Sequence, residues 1–349
     1  MRVVVVNAGL GGVVVGAHRA GARVAAAFDS DATLVAGLRA NLEGHDLLCD
    51  DVAVLDLRDD QKAPRRLAAA LEAHPAANDL HVHVSVPPGK AEVEAGRVQE
   101  TLALFETRGD ASWSIVVKVA PETRRVLAEA SARESMRVAF DTYDSSAFGA
   151  PQTRQRLVVG PPELMRALRV QKAAVTTRQT VRTALEASGL RLPSSHLKNQ
   201  TKSSHTAVPC TRSVDRTAYT LCGSHALTWC DAEGRTTRLM TSGEGAVLQG
   251  LPSDWTLPES RKAAQAAVGS ATCAALGEAI VRAATEAAKL NDEGQPLALG
   301  AVVGAAGAAG EDEHAPFVMT QKQYCRLKRR LNWLEEALAE FVQAKATKV

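Results

Sequence analysis

Short apolar runs alternate with helix-like stretches over the first 160 residues, and this alternation constrains the fold more than any other feature of the sequence. The predicted strands cover residues 2–6, 24–28, 80–86, 114–119, 136–141 and 156–159. The predicted helices cover residues 32–41, 64–73, 91–107 and 122–131. Strands that are separated by helices typically form parallel sheets with helices on both faces. We therefore predict a doubly wound, mostly parallel α/β fold.

The N-terminal sequence MRVVVVNAGLGGVVVGAHRAG resembles a signal peptide only superficially. Its apolar run is interrupted by Asn7 and by three glycines, and Arg2 is the only charge before the run. A buried strand that turns into a helix explains this pattern better. No later stretch is predicted to cross a membrane. We expect an intracellular protein, cytoplasmic or nuclear, with no membrane partner.

The six cysteines are scattered along the chain and include no C-x-x-C pair. Cys222, His225 and Cys230 come closest to a set of metal ligands, but spacing alone rarely makes a metal site. Reduced thiols and the absence of a bound metal are the prediction.

The periodicity fades after residue 160, and basic residues accumulate. Twelve basic and five acidic residues lie between 161 and 238, which leaves a surplus of seven positive charges, whereas the whole chain carries only +2. A solvated loop region explains such a surplus, and so does a surface that faces phosphates, where Lys and Arg supply sequence-independent affinity. The pattern leaves both interpretations open for residues 161–237.

The C-terminal part of the chain has three sections. Apolar periodicity resumes over residues 238–290, with a predicted helix at 271–290, and residues 291–315 form a linker of small residues. The last section, 316–349, is a predicted amphipathic helix with apolar side chains three and four residues apart. This heptad seam favours self-association or a protein partner through 324–341, or docking on the protein's own body. Its apolar members are Tyr324, Leu327, Leu331, Leu334, Leu338 and Phe341.

Glycines after the first predicted strand indicate a candidate nucleotide site. Gly9, Gly11 and Gly12 would let the backbone approach a ligand beside a helix N-terminus. Two acids, Asp29 and Asp31, come after the second strand, where ribose hydroxyls are usually bound. A further acid, Asp50 or Asp51, is placed after a third strand. A structural glycine turn without a ligand is the alternative.

Four ordered motifs resemble the DNA cytosine-5 methyltransferase family. FGAPQTRQRLVVG at 148–160 resembles the family's "yGvPQ-R-R-hhhvG", and NAGLGG at 7–12 resembles its "F-G-GG". RLMTSGE at 238–244 with LQGLPSDW at 248–255 resembles "R-LT-rE…LQGFP-dw". QAAVGSA at 265–271 resembles "Q--iGNa". Together they cover residues 1 to about 285 in the family's order.

The resemblance implies a Rossmann-like, S-adenosylmethionine (SAM)-dependent methyltransferase fold. The SAM-binding domain would comprise 1–160 and 238–290, and 161–237 would be a smaller target-recognition domain that contacts DNA. Family members extrude a cytosine from the duplex into the cleft between the two domains. The implied SAM-binding residues are Gly9, Gly11, Gly12, Asp29, Asp31 and Asp51. Asn7, Ser30 and Ser270 depart from the family pattern, so we expect SAM binding to be weakened.

The residues that the resemblance implies for catalysis are absent. The family's cysteine nucleophile stands in a "PPCQ" turn after the fourth strand, where this chain reads Pro87, Pro88, Gly89 and Lys90. Its "ENV" glutamate, which supports protonation of the base, is replaced by Val117 or Lys118. Gln152, Arg154 and Arg156 are retained, and could contact DNA or simply brace the sheet. Gln249 and Pro252 are predicted to be packing and turn residues.

These departures predict a catalytically inactive homologue that acts as a DNA-binding or scaffold protein. A component of a larger assembly, joined through the C-terminal helix, is a second hypothesis. A methyltransferase that works by an atypical mechanism is a third.

Overall fold

The computed structural model describes residues 1–57, 62–74, 79–84, 91–108, 113–133, 137–175, 178–199 and 211–293. Gly89, Lys90, the section 316–349 and all of the predicted linker except residues 291–293 lie outside the described residues.

The first half of the chain alternates between strands and helices, as predicted. Its elements are β1 (Arg2–Val6), α1 (Gly12–Arg19), β2 (Arg23–Asp29), α2 (Ala32–Gly44), β3 (Cys49–Val54), α3 (Ala63–Glu72), β4 (Asp79–Val84), α4 (Ala91–Arg108), β5 (Trp113–Val117), α5 (Pro121–Ser131), β6 (Ala139–Asp144) and β7 (Gln155–Gly160). A short 3-10 helix, Ser145–Phe148, follows β6. The run predicted as a strand at 136–141 begins three residues later, where Ala139 pairs with Gly160.

These strands form one seven-stranded sheet, the large sheet, in the order β3-β2-β1-β4-β5-β7-β6. β1 to β5 are parallel, whereas β7 is antiparallel to both β5 and β6. The predicted doubly wound α/β fold is confirmed. The ends of β1 to β5 meet at one edge, the carboxyl edge, where ligands bind in sheets of this kind.

The second half adds helices and a small antiparallel sheet. Its elements are α6 (Pro162–Ala174), α7 (Val181–Ala187), β8 (His196–Lys198), β9 (Thr211–Ser213), β10 (Thr228–Cys230), β11 (Thr236–Leu239), α8 (Ser242–Leu248), α9 (Arg261–Ser270) and α10 (Ala274–Glu293). The small sheet has the strand order β11-β10-β8-β9. The described part of residues 161–237 thus contains more regular structure than the fading periodicity indicates, because strands of three or four residues are too short to show alternation.

Apolar side chains pack on both faces of the large sheet. On one face Leu71, Leu102 and Leu127 come from α3, α4 and α5. On the other face α1, α2, α6 and α10 pack, and this core continues without interruption to Leu197 and Trp229 of the small sheet. Residues 1–296 therefore form one compact unit.

Two further observations concern the predicted domain border at residue 160 and the predicted lack of a membrane-spanning stretch. The border placed at residue 160 precedes α6, which packs against α10 and so belongs with the large sheet. The stretch Arg261–Lys289 is, by length and composition alone, apolar enough to cross a membrane. Its most apolar window is 67% buried inside the protein, as is typical of a core helix.

Candidate functional site

The loop between β1 and α1, residues 7–12, is the centre of the carboxyl edge, and we call it the glycine loop. Asn7, Gly9 and Gly11 have φ values of 56°, 57° and 85°, in the left-handed region that Gly and Asn tolerate best. No side chain caps the first turn of α1. Its N–H groups and the positive end of the helix dipole therefore lie at the carboxyl edge, as in sites for anionic groups.

Asp29 fixes the glycine loop to the end of β2. The Gly9 N–H donates to its Oδ2 at 2.8 Å, and the Asp31 N–H donates to its Oδ1 at 3.0 Å. Asp29 is only 8% exposed, and this burial raises the pKa of its carboxyl above the usual value, although the two N–H donors oppose the shift. Each carboxylate oxygen can accept a further hydrogen bond. Asp29 can therefore position the loop and still accept a ligand hydroxyl.

The other predicted cofactor acids have different positions. Asp31 caps α2, since its Oδ1 accepts from the N–H of Thr33 at 2.8 Å and from that of Leu34 at 3.3 Å. Asp51 does not come after the third strand, because β3 extends from Cys49 to Val54 and includes it. This is a correction: a strand with two adjacent acids has too few apolar residues for its end to be read from the pattern.

Asp56, which sequence reasoning missed, is the acid that follows β3. The neighbouring Leu55 N–H donates to the Asp29 carbonyl at 2.9 Å, so Asp56 lies near Asp29 at the carboxyl edge. Its carboxylate is 3.8 Å from the Arg66 guanidinium. The signal available in the sequence was the end of the apolar alternation at residue 55.

Trp255 packs against the glycine loop and holds it in place. Its indole Nε1 donates to the Leu10 carbonyl at 3.0 Å, and its ring stacks on His45 with a centroid separation of 5.2 Å. A Cβ added to Gly11 would lie 2.6 Å from Leu38, so the loop has no room for a side chain there. The motif at 248–255 thus holds the candidate site in shape without entering it, as Trp255 is only 4% exposed.

The end of β5 contributes a cation to the carboxyl edge. β5 stops at Val117, and Lys118 follows as an exposed residue. Glu122 is in the first turn of α5, as expected for an acid at a helix N-terminus. Residues 113–121 contain no carboxylate, so this end of the sheet lacks the acid that the family resemblance implies.

The described cysteines are poorly placed or poorly activated for nucleophilic attack. Cys49 begins β3 at the opposite edge of the sheet, and burial raises the pKa of its thiol to about 11. Cys273 is fully buried, and burial raises its pKa as well. Cys230 is buried in β10 of the small sheet. Cys222 is half-buried in the loop that packs on Gly269.

The described residues contain no cluster of three or more metal-binding side chains.

Gln152 and Arg154 are buried in the interior, which favours the bracing alternative for both. Gln152 donates to the Leu248 carbonyl at 3.1 Å and accepts from the Leu221 N–H at 3.3 Å. Arg154 donates to the carbonyls of Leu221 at 2.8 Å and Gly269 at 2.6 Å. Their exposed fractions are 0% and 2%, so neither reaches a ligand outside. Arg156, 8% exposed, donates to the Gln155 carbonyl at 3.0 Å.

An ion pair between the half-exposed Arg238 and the buried Glu244 attaches the small sheet to α8. Arg238 donates to both carboxylate oxygens of Glu244, at 2.5 and 2.9 Å, and Trp229 donates to the same group at 3.2 Å. The Thr241 N–H adds a fourth bond at 2.8 Å. Burial alone would raise the pKa of Glu244, but these donors outweigh it and hold the pKa below its usual value.

The basic surplus of residues 161–238 is partly neutralised. Carboxylates lie within ion-pair distance of Arg166, Arg169, Arg182, Arg235 and Arg238. Six further cations make no ion pair with any described residue, and all are exposed or half-buried. They are Lys172, Arg178, Arg191, Lys198, Arg212 and Arg216. A positive surface remains, but it is smaller than the charge count indicates.

Solved structures resemble this fold at low sequence identity. A protein assigned as a DNA modification methyltransferase, encoded within an E. coli prophage, matches with a TM-score of 0.56 and 14% identity, over 83% of this chain and 99% of that one. The S. pombe Dnmt2 methyltransferase matches with a TM-score of 0.52 and 16% identity, over 84% and 100%. A mutant of Spodoptera frugiperda DNMT2 matches with a TM-score of 0.50 and 9% identity, over 81% and 99%.

Neither a family model nor a curated protein sequence matches the chain. The structural likeness therefore shows the fold, which is that of the α/β methyltransferases, including a DNA modification methyltransferase and Dnmt2.

Proposed function

We propose that this protein is a degenerate DNA cytosine-5 methyltransferase homologue that binds duplex DNA without methylating it. The observation that carries the proposal is Gly89 at the position of the motif cysteine. Attack on the SAM methyl by cytosine carbon 5 requires prior addition of a thiolate to carbon 6, and glycine has no side chain to supply it.

The environment of the candidate site supports the same conclusion. Lys118 at the end of β5 would oppose the positive charge that develops on a pyrimidine protonated at N3, whereas a carboxylate would favour it. A replacement nucleophile would need a depressed thiol pKa and access to the cleft. Burial raises the pKa values of Cys49 and Cys273 instead.

SAM fits the glycine loop in part, so we propose it as a weak ligand. The uncapped N-terminus of α1 would hold the carboxylate of its methionine portion, and Asp29 and Asp56 would accept from its ribose and adenine. Ser30 provides no aromatic surface for the adenine ring. SAM supplies a methyl group when bound, but no residue described above activates a base to receive it.

Duplex DNA is the proposed ligand because six cations of residues 161–238 make no ion pair with a described residue. If each one neutralises one phosphate, the logarithm of affinity should fall against the logarithm of salt with a slope of about −5 to −6. We expect retention of a duplex of any sequence at 50 mM salt and its loss at a few hundred millimolar. A chain that shows no retention at low salt would refute DNA binding.

Methyl transfer is tested separately. The protein is incubated with tritiated SAM and cytosine-rich duplex DNA, and the expected incorporation is that of a blank without protein. Incorporation that depends on the protein would establish an atypical mechanism and overturn the proposal.

Gly89→Cys alone should not create activity, since the carboxylate at the end of β5 is still absent. Calorimetric titration with SAM then measures whether the glycine loop still binds the cofactor.

A second candidate function, assembly, rests on the heptad seam within 324–341. If this segment joins copies of the chain, removal of 316–349 should lower the number of copies per particle, measured as the mass in solution divided by the mass of one chain. An unchanged number of copies would exclude self-association through this segment and leave docking on the protein's own body. DNA retention of the truncated chain separates the two functions, because these six cations all precede residue 316.

A further inference from the structure

We propose that Arg212 is a pre-oriented phosphate-binding residue at the junction of the small sheet and the carboxyl edge. This inference rests on the DNA binding proposed above and assigns it to a particular side chain. Arg212 is the middle residue of β9, and neither its sequence context nor any motif distinguishes it from the other arginines of this region.

Strand register places Arg212 on the inner face of the small sheet. It is paired with Leu197, which is in turn paired with Trp229, and residues paired across neighbouring strands share a face. Leu197 and Trp229 are 1% and 0% exposed, so this face is the packed one. β9 is the edge strand, so the side chain of Arg212 emerges where the core ends.

The guanidinium is held in one plane. Its Cζ lies 4.0 Å from the centroid of the Tyr219 ring, and its Nη1 donates to the carbonyls of Thr217 at 3.1 Å and Ala218 at 3.2 Å. Nη1 is also 3.5 Å from the Thr153 hydroxyl. Thr153 comes just before β7, whose first residues lie beside the end of β5. Arg212 therefore faces the carboxyl edge.

This arrangement leaves the charge of Arg212 without a carboxylate among the described residues. Arg182, Arg235 and Arg238 of the same region each have one. The partners of Arg212 are neutral carbonyls and a ring, and its Nε and Nη2 groups make no bond to a described residue. Two free N–H groups in a fixed plane match the oxygens of a phosphodiester.

A phosphodiester is preferred to a base edge because the guanidinium lies half-buried against Tyr219 and neighbouring carbonyls and does not extend away from the surface. An arginine fixed in place before binding loses little side-chain freedom when it meets its ligand. It should therefore contribute more affinity than an equally charged but unrestrained neighbour. Arg216, which is exposed and makes no ion pair with a described residue, is that neighbour.

The test compares Arg212→Met with Arg216→Met, using two duplexes of equal length and different sequence. Arg212→Met should weaken binding about tenfold on both duplexes, as loss of a charge-assisted hydrogen-bond pair implies. Arg216→Met should weaken it no more than about threefold. Equal losses in the two variants would overturn the inference while leaving DNA binding intact. A loss confined to one duplex would also overturn it, in favour of a base contact.

Two further variants separate charge from geometry. Arg212→Lys keeps the charge without the planar fork, and it should recover less than half of the lost binding free energy. Tyr219→Leu keeps the arginine but removes the ring that orients it, and a loss of about threefold is expected. If Arg212→Met fails to fold, as shown by a missing thermal transition, these two variants still decide the matter. Full affinity in both would refute the proposal, and no DNA retention by the unaltered chain would refute the proposed function itself.

Discussion

The large sheet and the small sheet are held together by different kinds of contact. Around the large sheet, α1 crosses α10 at glycines: a Cβ on Gly12 would lie 1.8 Å from the Thr272 carbonyl, and a Cβ on Gly277 would lie 2.8 Å from the Val13 Cα. The small sheet shares the apolar core at Leu197 and Trp229, and the Arg238–Glu244 pair also joins it to α8. The helix crossing of the first region therefore depends on the absence of side chains, whereas the second region depends in part on charged ones.

This difference predicts how each region responds to change. Backbone contacts at glycines are independent of pH and salt, but no substitution there is tolerated without movement of the backbone. Buried charged groups respond to pH, and removing one partner leaves the other without compensation. The candidate cofactor loop belongs to the first kind of region, and the proposed DNA surface belongs to the second.

The largest expected effect comes from Gly12→Ala. The added methyl would overlap the Thr272 carbonyl, which belongs to the turn that leads into α10, so α1 and α10 would have to separate. We expect a loss of about 3–4 kcal/mol in the free energy of unfolding, measured by urea denaturation. A loss below about 1 kcal/mol would show that the two helices are not in backbone contact. Gly16→Ala, with its Cβ 2.4 Å from the Glu278 N, should behave similarly.

A smaller effect is expected from Glu244→Gln in the second region. The amide cannot accept from Arg238, Trp229 and Thr241 as the carboxylate does, but Arg238 is 41% exposed in its side chain and can turn to water. We therefore expect a loss of about 2 kcal/mol at pH 7.

The pH dependence of the same pair follows from its depressed pKa. A carboxyl with a lowered pKa in the folded state contributes stability that is complete above its ordinary value of 4.5. That stability is lost as the pH falls below 4.5 and through the folded pKa. The difference in stability between the parent and Glu244→Gln should therefore shrink between pH 5 and pH 3, in urea denaturation at each pH. A constant difference would show that Glu244 acts only through its shape.

The sequence predicted the large sheet far better than the small one. The runs at 2–6 and 156–159 are apolar enough to indicate buried strands, and β1 and β7 are found there within a residue. β8 to β11 are three or four residues long, too short for alternation to be visible. The basic character of the small-sheet region was evident from the sequence, but its ion pairs were not. Arg182 and Asp215, for example, are 33 residues apart and meet only in the fold.

The candidate site was predicted in part for the same reason. The glycine loop and Asp29 were predicted from short stretches of sequence, because consecutive residues encode the turn between a strand and a helix. Asp56 was missed, and Asp51 misplaced, because the end of β3 is weakly marked. The roles of Gln152 and Arg154 depend on Leu221 and Leu248, which are remote in sequence, so their burial could not be inferred from the motif alone.

A small gain is expected from Gly37→Ala, the matched control for Gly12. Gly37 lies within α2, and a Cβ there would meet nothing within 4 Å. Alanine loses less backbone entropy on folding than glycine in a helix, so the free energy of unfolding should rise by about 0.5–1 kcal/mol. A loss of stability would mean that this helix face is covered by a part of the chain outside the described residues.

The smallest effect is expected from Arg235→Met, the matched control for the ion pair of the buried Glu244 carboxylate. Arg235 lies next to β11, and its replacement by Met removes the same charge as a replacement of Arg238 would. The Arg235 side chain, however, is 77% exposed beside Asp231 and Glu233. Exposed pairs contribute about 0–1 kcal/mol because water screens them and both side chains lose freedom. Urea denaturation should show a change of less than about 0.5 kcal/mol. A loss as large as that of Glu244→Gln would mean that charge, and not burial, holds the small sheet in place, and the contrast between the two sheets would then disappear.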